Sequence, residues 1–227
     1  MKIKIKLKEG QDLFDYVIDQ IVCKTDEMIT NEFDEELNDV VIRFGYFSNL
    51  SDFAADNIFV SGRLNKKKLQ TEVEHALNVR HDMKCHWSID RRGDTPKFNP
   101  FTIYLNTNVI CSDLVSHIHD INTYIDFVCY EIRHEIGHMI DRKKFLSMTR
   151  EEVDEIKHQE MLLRDEFNKS TAIDDWENYI REYHKLPAEA MADRCGHFDV
   201  ERYIDFLKCI RYASNEMTLS IDCKIKT

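Results

Sequence analysis

The chain has 227 residues, of which 43% are hydrophobic and 32% are charged, a composition typical of a globular protein with a real core. Its formal net charge of −11 argues against a protein that binds duplex nucleic acid, because such proteins present a basic face. The seven cysteines are odd in number and contain no CxxC pair, so neither a zinc ribbon nor a disulfide framework is expected. Because the N-terminus has no apolar leader segment and no stretch approaches a membrane span, the sequence predicts a cytoplasmic protein without a membrane partner.

The first half of the chain is predicted to mix strands and helices. Strict alternation of apolar and polar residues indicates strands, whereas apolar residues three or four apart indicate helices. The predicted elements are a strand at 2–7, a helix through 13–21, an acidic helix at 26–37, a strand at 40–44, a helix at 65–79, a short strand at 84–90, a polar loop at 91–100 and a strand at 101–105.

The second half is predicted to be helical. The predicted helices are 116–143, 149–167, 174–183, 187–196 and 199–212. Thr149 and Glu152 form a capping box, and Asp199 is a good N-cap. Pro187 suits the first position of a helix, and Gly196 is expected to end that helix.

These elements predict one α+β domain that covers residues 1–227. The six Gly and three Pro favour long helices over a barrel or sandwich of many strands. We expect a small sheet, one long central helix and a helical C-terminal half. The N-terminal α/β portion, residues 1–80, matches no familiar pattern and is the expected place for determinants of specificity.

The clearest motif lies in the long predicted helix. Residues 134–138 read HEIGH, an HExxH sequence that begins with His134 and ends with His138. Residues four apart lie on one face of a helix, so the two imidazoles can converge on one tetrahedral ion. Glu135 is then close enough to act on a water at that ion. An apolar stripe lies on roughly the opposite side of the same helix, and its members are Ile118, Ile121, Ile125, Val128, Ile132, Ile136 and Met139.

A second motif supplies carboxylates for such a site. Residues 189–193 read EAMAD, in which Glu189 and Asp193 lie one helical turn apart among small residues. Small residues allow this helix to approach the HExxH helix closely. A catalytic zinc needs a third protein ligand, and a second carboxylate can orient a ligand imidazole. The alternative interpretation of this pair is an exposed acidic face, which is common in so acidic a chain.

The combination of HEIGH with EAMAD resembles the gluzincin metallopeptidases. It is closest to the CAAX-prenyl-protease and HtpX-like group and is similar to the ImmA/IrrE-like group. The resemblance covers about residues 118–195 and implies a zincin-like fold with Zn²⁺ bound by His134, His138 and Glu189. It also implies that Glu135 is the general base and that Asp193 supports a zinc-bound histidine. The edge strand that aligns a peptide in this family would be residues 101–105.

The chain departs from this family in two respects. It has no membrane-spanning segments, and the acidic helices between His138 and Glu189 read as an insertion. Three further residues near the EAMAD segment are candidate transition-state stabilisers, and they are Tyr183, His184 and His197. A histidine in such a position is more often a surface or capping residue.

The sequence therefore predicts a zinc-dependent peptidase that acts on a peptide or protein substrate. A backbone that pairs with an edge strand favours an extended peptide over a sugar or nucleotide. The alternative is a catalytically silent zincin-like module that binds or senses a partner. The presence of Glu135 favours the enzyme, because a pure binding site does not require it.

Overall fold

The structure of the protein is a computed structural model that describes residues 13–47, 83–93, 95–106, 110, 121–170 and 176–209. The predicted strand at 2–7 and the predicted helix at 65–79 lie outside these residues. The same holds for the predicted beginning of the long helix at 116–120 and for the end of the last helix at 210–212. Within the described ranges the fold is α+β and mostly helical, with a small sheet, as predicted.

The described elements alternate in the first half and are helical from residue 121 onwards. In chain order they are α1 (Leu13–Glu32), α2 (Asp34–Leu37), β1 (Ile42–Phe47), β2 (Met83–His86), β3 (Ile89–Asp90), β4 (Lys97–Phe98), β5 (Phe101–Asn106), α3 (Ile121–Arg142), a 3-10 turn (Lys143–Ser147), α4 (Arg150–Ser170), α5 (Trp176–Tyr183), α6 (Pro187–Gly196) and α7 (200–209).

Helix α1 is longer than predicted and takes in most of the predicted acidic helix at 26–37. Val17, Ile21 and Thr25 are buried at intervals of four residues, so one face of a continuous helix packs on the core. The chain bends only at Phe33, whose ring is buried before α2 begins.

The larger sheet has three strands in the order β1-β5-β2. Strand β5 pairs in parallel with β1 and antiparallel with β2, so both of its sides are occupied. The prediction that residues 101–105 form an edge strand is therefore wrong. Phe101, Ile103 and Leu105 are all buried, which is the environment expected of a central strand. In the described part of the sheet, β2 is an edge strand and runs antiparallel to its neighbour.

The predicted strand at 84–90 is divided into two short strands. Strand β2 ends before Trp87, and β3 begins two residues after it. Strand β3 pairs antiparallel with β4, which lies inside the predicted loop. The Trp87 ring packs between Phe98 and Phe145, with ring centroids 6.2 and 5.9 Å away. This packing turns the chain out of the first sheet and fixes the end of β2.

Helix α3 crosses the core and carries the HExxH motif. The predicted apolar stripe is buried at Ile125, Val128, Ile132, Ile136 and Met139, each at most 1% exposed. This stripe faces the sheet and α1, and burying side chains of this size stabilises the fold by about 1.5–3 kcal/mol each. The histidine-bearing side of the helix is thereby directed towards α6.

The backbones of α3 and α6 touch. A Cβ atom added at Gly137 would lie 1.9 Å from the Ala192 carbonyl oxygen, and one added at Gly196 would lie 2.4 Å from the Arg133 carbonyl oxygen. No side chain fits at either position without separating the helices. Helix α6 ends at Gly196, as predicted, and the left-handed conformation of its cap falls on His197 with φ 52°. The lack of a side chain at Gly196 is also required for the close approach to Arg133.

Polar caps fix the ends of the later helices. The Glu152 carboxylate accepts from the Thr149 backbone at 2.7 Å, and the Thr149 hydroxyl accepts from the Glu152 backbone at 3.3 Å. This confirms the predicted capping box at the start of α4. The Asp199 carboxylate accepts from the backbone of Glu201 at 2.9 Å, which confirms the predicted cap of α7. Among the described helices, none combines the length and apolar character that crossing a bilayer would require.

Candidate metal centre

His134 and His138 lie one turn apart on α3 and face α6. Their ring centroids are 4.6 Å apart, and their side chains are only 12% and 18% exposed. Each Nε2 atom points to the same place, where the side chain of Glu189 enters from α6. The spacing of four residues and the close helix packing together produce this convergence.

Glu189 completes a set of three donor atoms. Its Oε2 atom lies 3.1 Å from the Nε2 atom of His134 and 3.1 Å from that of His138. The Glu189 side chain is 2% exposed, so the carboxylate is buried among its partners. Burial alone would raise its pKa, but the hydrogen bonds with the two histidines outweigh burial and hold the pKa well below its usual range. Two imidazole nitrogens and one carboxylate oxygen are donors that suit zinc, and a tetrahedral ion held by three protein donors would have its fourth position available to water.

Asp193 lies one turn further along α6, behind His134. Its Oδ1 atom is 2.8 Å from His134 Nδ1, the ring nitrogen that faces away from Glu189. Burial would lower the pKa of His134, but the hydrogen bonds with Asp193 and Glu189 raise it to about 10. A carboxylate in this position fixes the orientation of a ligand imidazole. Because a metal binds the unprotonated imidazole, metal binding at Nε2 competes with a proton there.

His184 belongs to the surroundings of Asp193. Its Nδ1 atom lies 3.0 and 2.9 Å from the two Asp193 oxygens, and its ring stacks on Phe198 at 5.3 Å. His134, His184 and Asp193 form a second, overlapping group of donors that could hold a metal. In this group, however, His134 would have to use the nitrogen that Asp193 already engages. The group around Glu189 is the better metal position, because both HExxH rings direct Nε2 into it.

Tyr183 and Arg164 contact the other oxygen of Glu189. The Tyr183 hydroxyl donates to Oε1 at 2.9 Å, and the Arg164 guanidinium donates to the same atom at 2.5 Å. Burial of the ring, together with the negative charge of Glu189, raises the pKa of Tyr183 well above its usual range. Tyr183 therefore keeps its proton, and in this structure that proton is directed at Glu189.

Glu135 is half-buried on α3, next to His134 in sequence. It is near enough to the Cys85 thiol of β2 for its carboxylate to affect the pKa of that thiol, and its charge also contributes to raising the pKa of His134 and of Tyr183. Burial and the neighbouring Glu135 carboxylate raise the pKa of the Cys85 thiol well above its usual range. The edge strand and the candidate general base are thus direct neighbours.

His197 does not join the cluster. It is exposed at the end of α6, with its ring 5.5 Å from Phe33 and its Nδ1 atom 4.0 Å from Glu32. The structure therefore does not bring His197 to the cluster, whereas Tyr183 and His184 lie within it and contact Glu189 and Asp193.

Two contacts of the cluster were not predicted from the sequence. Arg164 is on α4, a helix that read as an insertion, and it has no local motif that marks it. The sequence does not mark Cys85 as a candidate site residue. The only signal for Cys85 was its place in a predicted strand before Trp87, and that signal does not say which helix the strand adjoins.

The chain matches none of the protein-family models, curated proteins and solved structures with which it was compared. The identification of the site accordingly rests on the geometry of the cluster and on the two motifs that form it.

Proposed function

We propose that this protein is a zinc-dependent peptidase with a zincin-like fold of the gluzincin kind. The observation that carries the proposal is the convergence of His134 Nε2, His138 Nε2 and Glu189 Oε2 on one point, beside Glu135. When bound there, zinc supplies a Lewis acid that activates water and polarises a peptide carbonyl. His134, His138 and Glu189 are the proposed ligands.

Three further residues have proposed roles: Glu135 transfers protons, and Asp193 and His184 orient the His134 ring. Glu135 is the proposed general base, which takes a proton from the attacking water on its carboxylate and then delivers it to the leaving amine. Asp193 accepts a hydrogen bond at His134 Nδ1 and so keeps the Nε2 lone pair directed at the ion. His184 holds the Asp193 carboxylate from its other side.

The proposed substrate is an extended peptide or protein segment that lies along β2. This strand has one partner, β5, in the described sheet, and Cys85 places it next to Glu135. A peptide that pairs with the free side of β2 would present its carbonyl groups to the cluster, because backbone hydrogen bonds fix an added strand in register. We further propose a cytoplasmic location without nucleic-acid or membrane partners. The five cysteines in the described ranges are free thiols, which suits a reducing compartment.

The test separates an enzyme from a silent binding module. Zinc content of the purified protein is measured by mass spectrometry, and cleavage of a mixed peptide library is followed in parallel. In the Glu135→Gln variant we expect unchanged zinc content and a loss of cleavage by about 10²- to 10⁴-fold, because the amide cannot accept the proton. The matched control is Glu151→Gln on the exposed face of α4, for which cleavage is expected to stay at the wild-type rate.

Two results would contradict the proposal. A wild-type protein that takes up no zinc or other divalent metal would remove the metal site itself. A protein that binds zinc but cleaves nothing, and whose cellular effect survives Glu135→Gln, would instead be the binding module.

A further inference from the structure

The carboxylate of Glu189 is divided between two sets of partners. Oε2 faces the two imidazoles at 3.1 Å, whereas Oε1 accepts from Arg164 at 2.5 Å and from Tyr183 at 2.9 Å. The two oxygens of this buried carboxylate thus contact different partners: Oε2 contacts the imidazoles, and Oε1 contacts the Arg164 and Tyr183 donors. Oε1 is unavailable to an ion as long as both donors stay in place.

Arg164 is held in position by the rest of α4. Three residues on the same face of this helix also contact the protein body. The Glu160 carboxylate accepts two hydrogen bonds from Arg142 at 2.6 and 2.8 Å, and the Lys157 ammonium lies 4.6 Å from the centre of the Trp87 ring. Phe167 packs on the Tyr183 ring at 5.8 Å, so α4 and Tyr183 contact one another as well as Glu189.

We infer that Arg164 and Tyr183 are positioning residues that restrict Glu189 to binding the metal through one oxygen. This inference rests on the proposed function. A carboxylate that can rotate offers both oxygens to a metal, and the second oxygen would fill the position that water and substrate need. A cation and a hydroxyl on Oε1 prevent that rotation. The arrangement therefore keeps the ion at three protein donors with one open position.

The two donors contribute unequally. Arg164 brings a full positive charge to the Glu189 carboxylate, whereas Tyr183 brings a neutral hydroxyl, and a hydrogen bond between two ionised groups is the stronger kind. The Arg164 side chain is 53% exposed and the Glu189 side chain is 2% exposed, so this hydrogen bond joins a partly solvated cation to a buried carboxylate. Loss of Arg164 should consequently free the carboxylate more than loss of the Tyr183 hydroxyl.

Cobalt(II) substitution provides a readout that does not depend on activity. The visible absorption of cobalt(II) is strong with four ligands and several-fold weaker with five, so its intensity reports whether Glu189 binds through one oxygen or two. The variants are Arg164→Met, Arg164→Lys and Tyr183→Phe. Arg150→Met is the matched control on the same helix, since that side chain is 82% exposed and distant from the cluster.

We expect the intensity to fall several-fold in Arg164→Met, to fall less in Tyr183→Phe and to recover in Arg164→Lys, whose ammonium can still bind Oε1. Arg150→Met should have the wild-type spectrum. A wild-type spectrum in both Arg164→Met and Tyr183→Phe, at full cobalt occupancy, would overturn the positioning role while leaving the metal site intact. Failure of the wild-type protein to bind cobalt or zinc would instead overturn the proposed function and, with it, this inference. If Arg164→Met does not fold, Tyr183→Phe decides the question, because a wild-type spectrum in that variant at full cobalt occupancy would overturn the positioning role.

Discussion

Helices α6 and α4 both reach Glu189, but they are attached to the rest of the protein in different ways. Helix α6 touches α3 backbone to backbone through Gly137 and Gly196. Helix α4 touches its surroundings mainly through long charged side chains, of which Arg164 and Glu160 are the clearest. The first attachment fixes where His134, His138 and Glu189 meet, and the second holds one carboxylate oxygen of Glu189.

The contrast between the two attachments predicts which substitutions the site can tolerate. Two helices in backbone contact have no side chain that can move aside, and protein interiors are packed as densely as organic crystals. A long charged side chain has several rotatable bonds and is partly solvated, so its loss is absorbed locally. Substitutions on the α6 side should therefore disrupt the site more than those on charged contacts at the periphery.

The largest effect is expected from Gly137→Ala. The new Cβ atom would lie 1.9 Å from the Ala192 carbonyl oxygen and 2.7 Å from the Gly196 nitrogen, both of which are backbone atoms. Because only a separation of α3 and α6 relieves this overlap, we expect a loss of about 3 kcal/mol or more in the free energy of unfolding. Urea denaturation measures that loss, and zinc content should fall with it.

Gly93→Ala is the control for this substitution. An added Cβ atom at Gly93 would have no heavy atom within 4 Å. The free energy of unfolding should change by less than about 0.5 kcal/mol. Equal stability of the two variants would show that α3 and α6 are not in backbone contact.

An intermediate effect is expected from Asp193→Ala. This change leaves the three proposed ligands in place but removes the carboxylate that lies 2.8 Å from His134 Nδ1. The ring is then free to rotate, and we expect zinc affinity to fall by about 10- to 100-fold. Competition with a chromophoric chelator measures the affinity. Asp154→Ala on the exposed face of α4 is the control, and unchanged affinity in Asp193→Ala would return Asp193 to a simple surface charge.

The parts of the molecule that could be predicted are those that depend on spacing along one helix. The stripe from Ile125 to Met139 defined α3, and two residues four apart necessarily share a face, so His134 and His138 could be placed together. The contact of Glu189 with both rings depended on a second motif with small residues around it. Those small residues do lie where the helices touch.

The features that the sequence did not predict are the neighbours that each strand, helix or side chain contacts in the folded protein. Alternation along residues 101–105 identifies a strand, but it does not say whether one or two neighbours pair with it, and β5 has two. His197 is close to the EAMAD segment in sequence, yet its exposed side chain lies beside Glu32 and Phe33 and not beside Glu189. Arg164 is 25 residues from its partner Glu189 on a helix that carries no motif, so its contact leaves no local trace in the sequence.

The smallest effect is expected at the charged contact between α1 and α3. Arg133 donates to the two Glu32 oxygens at 2.7 and 2.6 Å. Hydrogen bonding to Arg133 outweighs burial and lowers the pKa of Glu32 below its ordinary value of 4.5. Because the pKa of Glu32 is lower in the folded protein than in the unfolded chain, the contact stabilises the folded protein fully at pH values above 4.5. This stabilisation is lost as the pH falls through the lowered pKa of the folded protein.

Since the Glu32 side chain is 39% exposed, solvent screening should limit the effect of Glu32→Gln to about 0.2–1 kcal/mol near pH 7. Urea denaturation at a series of pH values should show the difference from wild type shrinking as the pH falls below 4.5, because Glu32 becomes protonated first in the unfolded and then in the folded protein. Glu27→Gln, an exposed change on the same helix, should show no such convergence. A difference that stays constant or grows in acid would mean that Glu32 stabilises α1 by packing and not by its charge.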